Sequence, residues 1–210
     1  MGHAFDPRAH RLPLTASVLA VSAAILGNAA PATAQKVAGI GYRVLAATKT
    51  STMEKELNEA AEAGFRFQAA MGGDTAIGGS EVVAVLSRAG DVKGRFSYKL
   101  LATSRTSSME KELQAAADAG YEYRGQTVFK SVFGGEEVIC ILERDKDSPP
   151  MKSQYKLLAT TKTSTLEKEL GEIGAAGYQI MGMTVAKTAI GGKELVAITR
   201  RAGAQQPGSQ

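Results

Sequence analysis

The chain is poor in the residues from which many active sites and cross-links are built. Its 210 residues include one cysteine, which excludes an internal disulfide. It has no tryptophan, and its two histidines, His3 and His10, both lie near the N-terminus. If that segment is removed, no imidazole remains. Ser-His-Asp catalysis, Cys-His catalysis and histidine-bound zinc or iron are then excluded.

A strong excess of one charge is also missing. Lys and Arg number 25 against 21 Asp and Glu, and the net charge of +4 is spread along the chain. A nucleic-acid binder normally shows a clustered basic face, so we expect no nucleic-acid partner. Hydrophobic residues make up 44% and charged residues 22%, which is typical of a globular protein.

The N-terminal segment has the pattern of a secretory signal peptide. Arg8 and Arg11 precede an apolar stretch over residues 12–26, and an A-x-A site ends at Ala34. The apolar stretch is shorter than the ~20 residues that span a bilayer. We predict that residues 1–34 are cleaved off, which makes the protein periplasmic or secreted, with no membrane span. An N-terminal membrane anchor is the alternative.

The rest of the chain contains three copies of one unit. Tyr42, Tyr98 and Tyr155 open the copies and are 56 and 57 residues apart. The same offsets relate the later landmarks, among them Gly64, Gly120 and Gly177. Such a period predicts a tandem-repeat protein. We place the repeats at residues 35–90, 91–147 and 148–202, followed by a disordered tail at 203–210.

Each copy is predicted to start with a strand and continue into a helix. Ser51 and Glu54, with their equivalents in the other copies, form the S-x-x-E pattern of a capping box at the helix start. Apolar residues then recur at helical spacing. In the first copy they are Met53, Leu57, Ala60 and Ala61, and in the third Leu166, Leu170, Ile173 and Gly174. Gly64 and its equivalents supply the left-handed residue that ends the helix.

Two further strands complete the copy. Phe65, Phe67 and Ala69 alternate with polar residues, which predicts a second strand with one wet face. A Gly-Gly turn leads into a third strand that is apolar on both faces, and such a strand is typically central. The predicted fold class is therefore α+β. Each copy is a half-ferredoxin-like βαββ unit with one helix, and its three strands, numbered within the copy, have the sheet order β1-β3-β2.

One helix covers only one face of such a sheet. A unit of about 50 residues is also marginal alone. We therefore expect the three copies to pack together into one body, and self-association would serve the same purpose.

The motifs resemble a known family. Tyr-Lys-Leu-Leu, a Glu-Lys-Glu-Leu helix, Ala-Gly-Tyr and a strand ending in Arg144 or Arg200 are similar to the short βαββ domains of unknown function, type 4177. The resemblance covers residues 42–201. That family ends the helix with Gly-Trp, whereas this chain has Gly-Phe or Gly-Tyr. The resemblance implies a small secreted or cytoplasmic module and carries over no catalytic residue.

Each candidate binding residue also has an interpretation without a ligand. Lys49, Arg105 and Lys162 precede the helix starts and suit an anion, although a capping glutamate would repel one. Phe129 and Phe133, beside Lys130 near the second hairpin, suit docking or capping of the core.

Other side chains are interpreted as structural. The Glu-Lys-Glu triplets beginning at Glu54, Glu110 and Glu167 are read as solvated helix faces, rather than a repeated acid–base site. Cys140 is predicted to be a buried, inert thiol, and Met181 and Met183 to fill the core.

The sequence thus predicts a non-enzymatic binding or interaction module without cofactor or metal. Its partner would be an envelope protein or a small ligand. A hydrolase or lyase using Glu and Lys in a cleft between repeats, and a structural or assembly protein of the envelope, are the alternatives.

Overall fold

The chain repeats one order of strands and helix three times. The computed structural model describes residues 39–75, 79–90, 92–103, 105–130, 136–187 and 192–203, all within one compact unit, Val37–Gln210. The strands are β1 (Gly41–Ala47), β2 (Arg66–Thr75), β3 (Gly79–Arg88), β4 (Phe96–Thr103), β5 (Glu122–Lys130), β6 (Glu136–Asp145), β7 (Ser153–Thr160), β8 (Gln179–Lys187) and β9 (Lys193–Ala202). The helices are α1 (Thr50–Glu62), α2 (Thr106–Asp118) and α3 (Thr163–Ala175).

Each copy forms its own antiparallel sheet. The strand orders are β1-β3-β2, β4-β6-β5 and β7-β9-β8, so the last strand of every copy is central. In β6, Cys140 faces the helix of its own copy, whereas Ile139 and Ile141 join the core of the first copy. The predicted α+β fold of three tandem βαββ units is confirmed.

The helices end as predicted, at a left-handed glycine. Gly64 has a φ of 88°, and its amide donates to the carbonyl of Ala61 at 2.9 Å. The amide of Phe65 donates to the carbonyl of Ala60 at 2.9 Å. These two hydrogen bonds define a Schellman motif, and they recur around Gly120 and Gly177.

The predicted capping box is wrong. The helix begins at Thr50, directly after Lys49, and no side chain caps it. Ser51 therefore lies inside the first turn, and Glu54 is too far along the helix to reach the N-cap amide. Its carboxylate instead accepts a hydrogen bond from the amide of Leu100, in the next copy, at 2.7 Å.

The second strand of each copy contains a bulge that the sequence pattern did not reveal. In β2 the register with β3 shifts between Phe67 and Ala69. Phe67 is buried, but Ala69 is exposed, contrary to the predicted alternation, because the extra residue turns the strand. The same shift occurs between Tyr123 and Gly125 in β5 and between Ile180 and Gly182 in β8.

The copies pack one on the next, as expected. Met53 and Leu57 of α1 share a core with Ile139 and Ile141 of β6 and with Tyr98 of β4. Each following sheet therefore has its own helix on one face and the preceding copy on the other. This arrangement supplies the second cover that a single βαββ unit lacks.

Candidate interaction surfaces

The copies meet at two similar contacts. We call the contact between copies one and two the first junction, and that between copies two and three the second junction. At the first, the hydroxyl of Tyr98 accepts a hydrogen bond from the amide of Phe67 at 2.8 Å. At the second, the hydroxyl of Tyr155 accepts from the amide of Tyr123 at 2.9 Å. The bulge frees these amides from the sheet, so each tyrosine completes the preceding copy.

Burial makes these two hydroxyls harder to ionise. Desolvation raises the pKa of both Tyr98 and Tyr155 above the ordinary tyrosine value. Tyr98 can therefore accept from Phe67 while donating its own proton to the carboxylate of Glu143, at 2.8 Å. The two tyrosines act as positioning groups for the backbone of neighbouring copies.

Helix side chains cover the edge strand of the next copy. Glu110 of α2 accepts from the amide of Leu157 at 2.9 Å, as Glu54 does from Leu100 at the first junction. An uncovered edge strand is a template for pairing with another chain. Each carboxylate therefore occupies one outward-facing amide of the edge strand, Leu100 in β4 and Leu157 in β7.

A second helix position adds an amide side chain to each junction. Asn58 accepts from the amide of Tyr98 at 2.9 Å and donates to its carbonyl at 2.9 Å. The equivalent Gln114 accepts from the amide of Tyr155 at 3.0 Å and donates to the carbonyl of Ser153 at 3.1 Å. Both junctions thus hold their edge strand at two points.

The first junction contains a buried carboxylate. The side chain of Glu143 is 0% exposed and lies 2.8 Å from Arg66 of the first copy and 2.9 Å from Arg124 of its own copy. Hydrogen bonding to Glu143 raises the pKa of Arg66. Because Glu143 also accepts from Tyr98, its oxygens are engaged by three side chains and it acts as a structural anchor.

The second junction places its charges the other way round. Arg200 stands at the position of Glu143, and Glu122 at the position of Arg66. Their side chains lie 3.5 Å apart and are about one-fifth exposed. The preceding copy therefore contributes the cation at the first junction and the anion at the second.

The outer face of the first sheet has no preceding copy among the described residues. We call it the head face and define it by Tyr42, Val44, Met71, Val83 and Val85. Tyr42 is 67% exposed, although its equivalents Tyr98 and Tyr155 are buried. Val44 and Met71 are also exposed.

The helix side of the third sheet is the opposite case. We call it the tail face and define it by Glu167, Gly171, Ile180, Met183 and Val185. Ile180 is 50% exposed, whereas its equivalents Phe67 and Tyr123 are buried. Met183 and Val185 are exposed as well, so the prediction that Met183 fills the core is wrong.

The third helix is also less buried than predicted. Leu166 and Ile173 are buried, but Leu170 is half-buried and Gly174 is exposed. The reason is the same as for the tail face: within the described residues, no further copy packs over α3.

The predicted anion-binding residues lie at three separate helix starts. Lys49, Arg105 and Lys162 are themselves the N-cap residues and are exposed. Phe129 lies on β5, opposite Glu137, and its side chain falls outside the described residues. Phe133 falls outside them altogether. Anion binding and hairpin docking therefore stay predictions.

Other sequence predictions are met in part. Cys140 is buried, and desolvation raises the pKa of its thiol to about 12, as expected of an inert cysteine. The triplets combine two roles. Lys55 is exposed and lies 3.6 Å from Glu59, whereas Glu54 and Glu110 bind backbone amides of the next copy.

One open groove, of about 520 Å³, lies at the second junction and is lined by Gln114, Asp118, Lys152, Ser153, Gln154 and Gly203. Over the residues described, no group of three or more His, Cys, Asp or Glu side chains is placed to hold a metal ion. No helix in this part of the chain is long and apolar enough to cross a membrane.

No family model, curated protein or solved structure matches this chain. The similarity to the short βαββ domains stays a prediction.

Proposed function

We propose that this is an exported, non-enzymatic interaction module that binds other protein surfaces through its head and tail faces. One observation carries the proposal. Positions that are buried at both junctions, such as Tyr98 and Tyr155, have exposed apolar equivalents on the end faces, such as Tyr42. Contiguous apolar surface of this kind marks protein–protein contacts.

The exposed apolar side chains are concentrated at these two ends. Among the large apolar residues exposed in the described chain, Tyr42, Val44 and Met71 lie on the head face, and Ile180, Met183 and Val185 on the tail face. The others are Ile40, just before β1, and Val92 and Met151 in the segments between copies. Repeat proteins ordinarily end in copies with a polar outer face, so two apolar ends favour a binding role.

The hydrolase or lyase alternative has less support. It needs Glu and Lys from different copies to converge in a deep pocket. Glu54 and Glu110 instead hold edge strands, and Lys55 and Lys168 extend from exposed helix faces. Export rests on the N-terminal sequence alone, with its basic start, apolar segment and A-x-A site.

Site-specific photocrosslinking in the producing cell tests this proposal. Benzoylphenylalanine would replace Val44 on the head face or Met183 on the tail face, and Val92 in the matched control. Val92 is exposed to a similar degree but lies on neither face. We expect discrete protein adducts from the two end positions and none from position 92. Equal adduct patterns at all three positions, or no adducts, would contradict the proposal.

A further inference from the structure

We propose that the partner of the head face is the tail face of a second copy of this chain. This inference rests on the proposed function and names its partner. The two internal junctions provide the template: in each, the outer face of one sheet docks on the helix side of the preceding sheet. Among the described residues, no copy packs on the outer face of the first sheet, which is the head face, or on the helix side of the third, which is the tail face.

The charge positions fit such a contact. Arg66 meets Glu143 at the first junction, and Glu122 meets Arg200 at the second. The equivalent position on the tail face is Gln179, and on the head face it is Ser87. A contact between two molecules would therefore place two neutral, hydrogen-bonding side chains together, with no buried charge left unpaired.

Side-chain sizes are matched across the same contact. At the internal junctions an aromatic residue of the preceding bulge faces a glycine of the next. Phe67 lies 3.4 Å from where a Cβ of Gly125 would be, and Tyr123 would overlap a Cβ at Gly182. The tail bulge has the smaller Ile180, and the head bulge has Ala69 in place of glycine. The smaller residue on one face accompanies the larger one on the other.

The two end faces have some, but not all, of the side chains that bind the edge-strand backbone at the internal junctions. Glu167 occupies the position of Glu54 and Glu110, so it would accept from the amide of Val44, the equivalent of Leu100 and Leu157. Gly171 stands where Asn58 and Gln114 clamp the edge strand, and it has no side chain to do so. The contact between molecules is therefore weaker than the internal junctions, which suits reversible assembly. A heterologous contact of this kind builds closed rings or open chains.

Sedimentation equilibrium over a concentration series tests the inference on the protein as the cell processes it. We expect the average mass to rise from one chain to at least two. A head-blocked variant, Tyr42→Asp with Val44→Asp, and a tail-blocked variant, Ile180→Asp with Met183→Asp, should each stay at one chain. Mixed in equal amounts, they should form a species of two chains and nothing larger, because each retains one intact face. Val92→Asp is the matched control and should associate normally.

Two further variants test the same contact without the aspartate substitutions, by changing the charges at positions 87 and 179. Ser87→Glu with Gln179→Arg recreates the charge order of the first junction and should lower the dissociation constant about tenfold. Ser87→Arg with Gln179→Arg should raise it about tenfold. Circular dichroism and the thermal midpoint establish that each variant is folded.

Three outcomes overturn the inference: one-chain mass at every concentration, association of a blocked variant with itself, or no complex on mixing. One-chain mass combined with crosslinks to other proteins overturns self-assembly and leaves the proposed function standing. One-chain mass without end-specific crosslinks overturns both. One-chain mass with both faces protected from hydrogen exchange would instead show that other parts of the same chain cover them.

Discussion

The two junctions share a backbone contact but differ in their charges. Both insert a tyrosine into the bulge of the preceding copy, at 2.8 Å for Tyr98 and 2.9 Å for Tyr155. The first junction buries Glu143 between two arginines, whereas the second pairs Glu122 and Arg200 at 3.5 Å with both side chains partly exposed. The comparison shows that one backbone docking geometry accommodates either order of charges, provided that opposite charges meet.

Charge reversal should separate the junctions most strongly. Glu143→Arg would bury a cation against Arg66 and Arg124, and we expect it to lower the free energy of unfolding by about 4 kcal/mol. Arg200→Glu, at the partly exposed second junction, should cost only about 1 kcal/mol. Urea unfolding followed by circular dichroism measures both.

Grafting the second junction onto the first supplies the control. The triple variant Arg66→Glu, Arg124→Met, Glu143→Arg introduces the residue types found at Glu122, Met181 and Arg200. It should recover at least half of the stability lost in Glu143→Arg. A triple variant as unstable as the single one would show that charge order is not what distinguishes the junctions.

Removing the tyrosine hydroxyls should give a graded series. Tyr98→Phe leaves the buried amide of Phe67 without its acceptor and Glu143 without one of its three donors, so we expect a loss of about 3 kcal/mol. Tyr155→Phe removes the acceptor of the Tyr123 amide but no hydrogen bond to Glu143, so the expected loss is smaller, about 2 kcal/mol. Tyr42→Phe, on the exposed head face, should change stability by less than about 0.5 kcal/mol.

These three variants are compared by thermal and urea unfolding at low protein concentration, where any association is negligible. A loss at Tyr42 equal to that at Tyr98 would contradict the distinction between occupied and unoccupied faces.

The smallest expected difference in stability is between alanine substitutions at Gly182 and Gly125, which occupy equivalent positions at the two junctions. Gly182→Ala would place a methyl group against the hydroxyl of Tyr123 and should cost about 1 to 2 kcal/mol. Gly125→Ala meets the ring of Phe67 at 3.4 Å, an ordinary contact distance, and should be nearly neutral. Gly182→Ala combined with Tyr123→Phe should recover part of the loss, as thermal unfolding will show. A Gly125→Ala variant as unstable as Gly182→Ala would indicate that the glycines serve the strand backbone and not the junction.

Much of the fold could be predicted from periodicity. Three copies at one register showed which residues are landmarks, so the helix end at Gly64 and the central position of β3, β6 and β9 followed from local rules. The helix start did not follow. Ser51 and Glu54 satisfy the capping pattern, but the carboxylate finds its partner in the next copy, and a pattern within one copy contains no information on that contact.

The sequence does not predict the junctions, for the same reason. Its pattern identifies Tyr42, Tyr98 and Tyr155 only as strand residues, because hydrophobic alternation does not reveal a bulge in the preceding copy. One signal was available: an amide side chain at Asn58 and at Gln114, followed by glycine at Gly171. A repeated polar residue that disappears in the last copy indicates a contact with a following copy.

The alternating charge order also bears on how such a gene can change. Unequal recombination between repeated coding segments deletes or duplicates a copy. Loss of the middle copy would set Arg66 against Arg200, and its duplication would set Glu122 against Glu143. Either product places like charges together at a new junction, so we expect it to fold less stably than the three-copy arrangement.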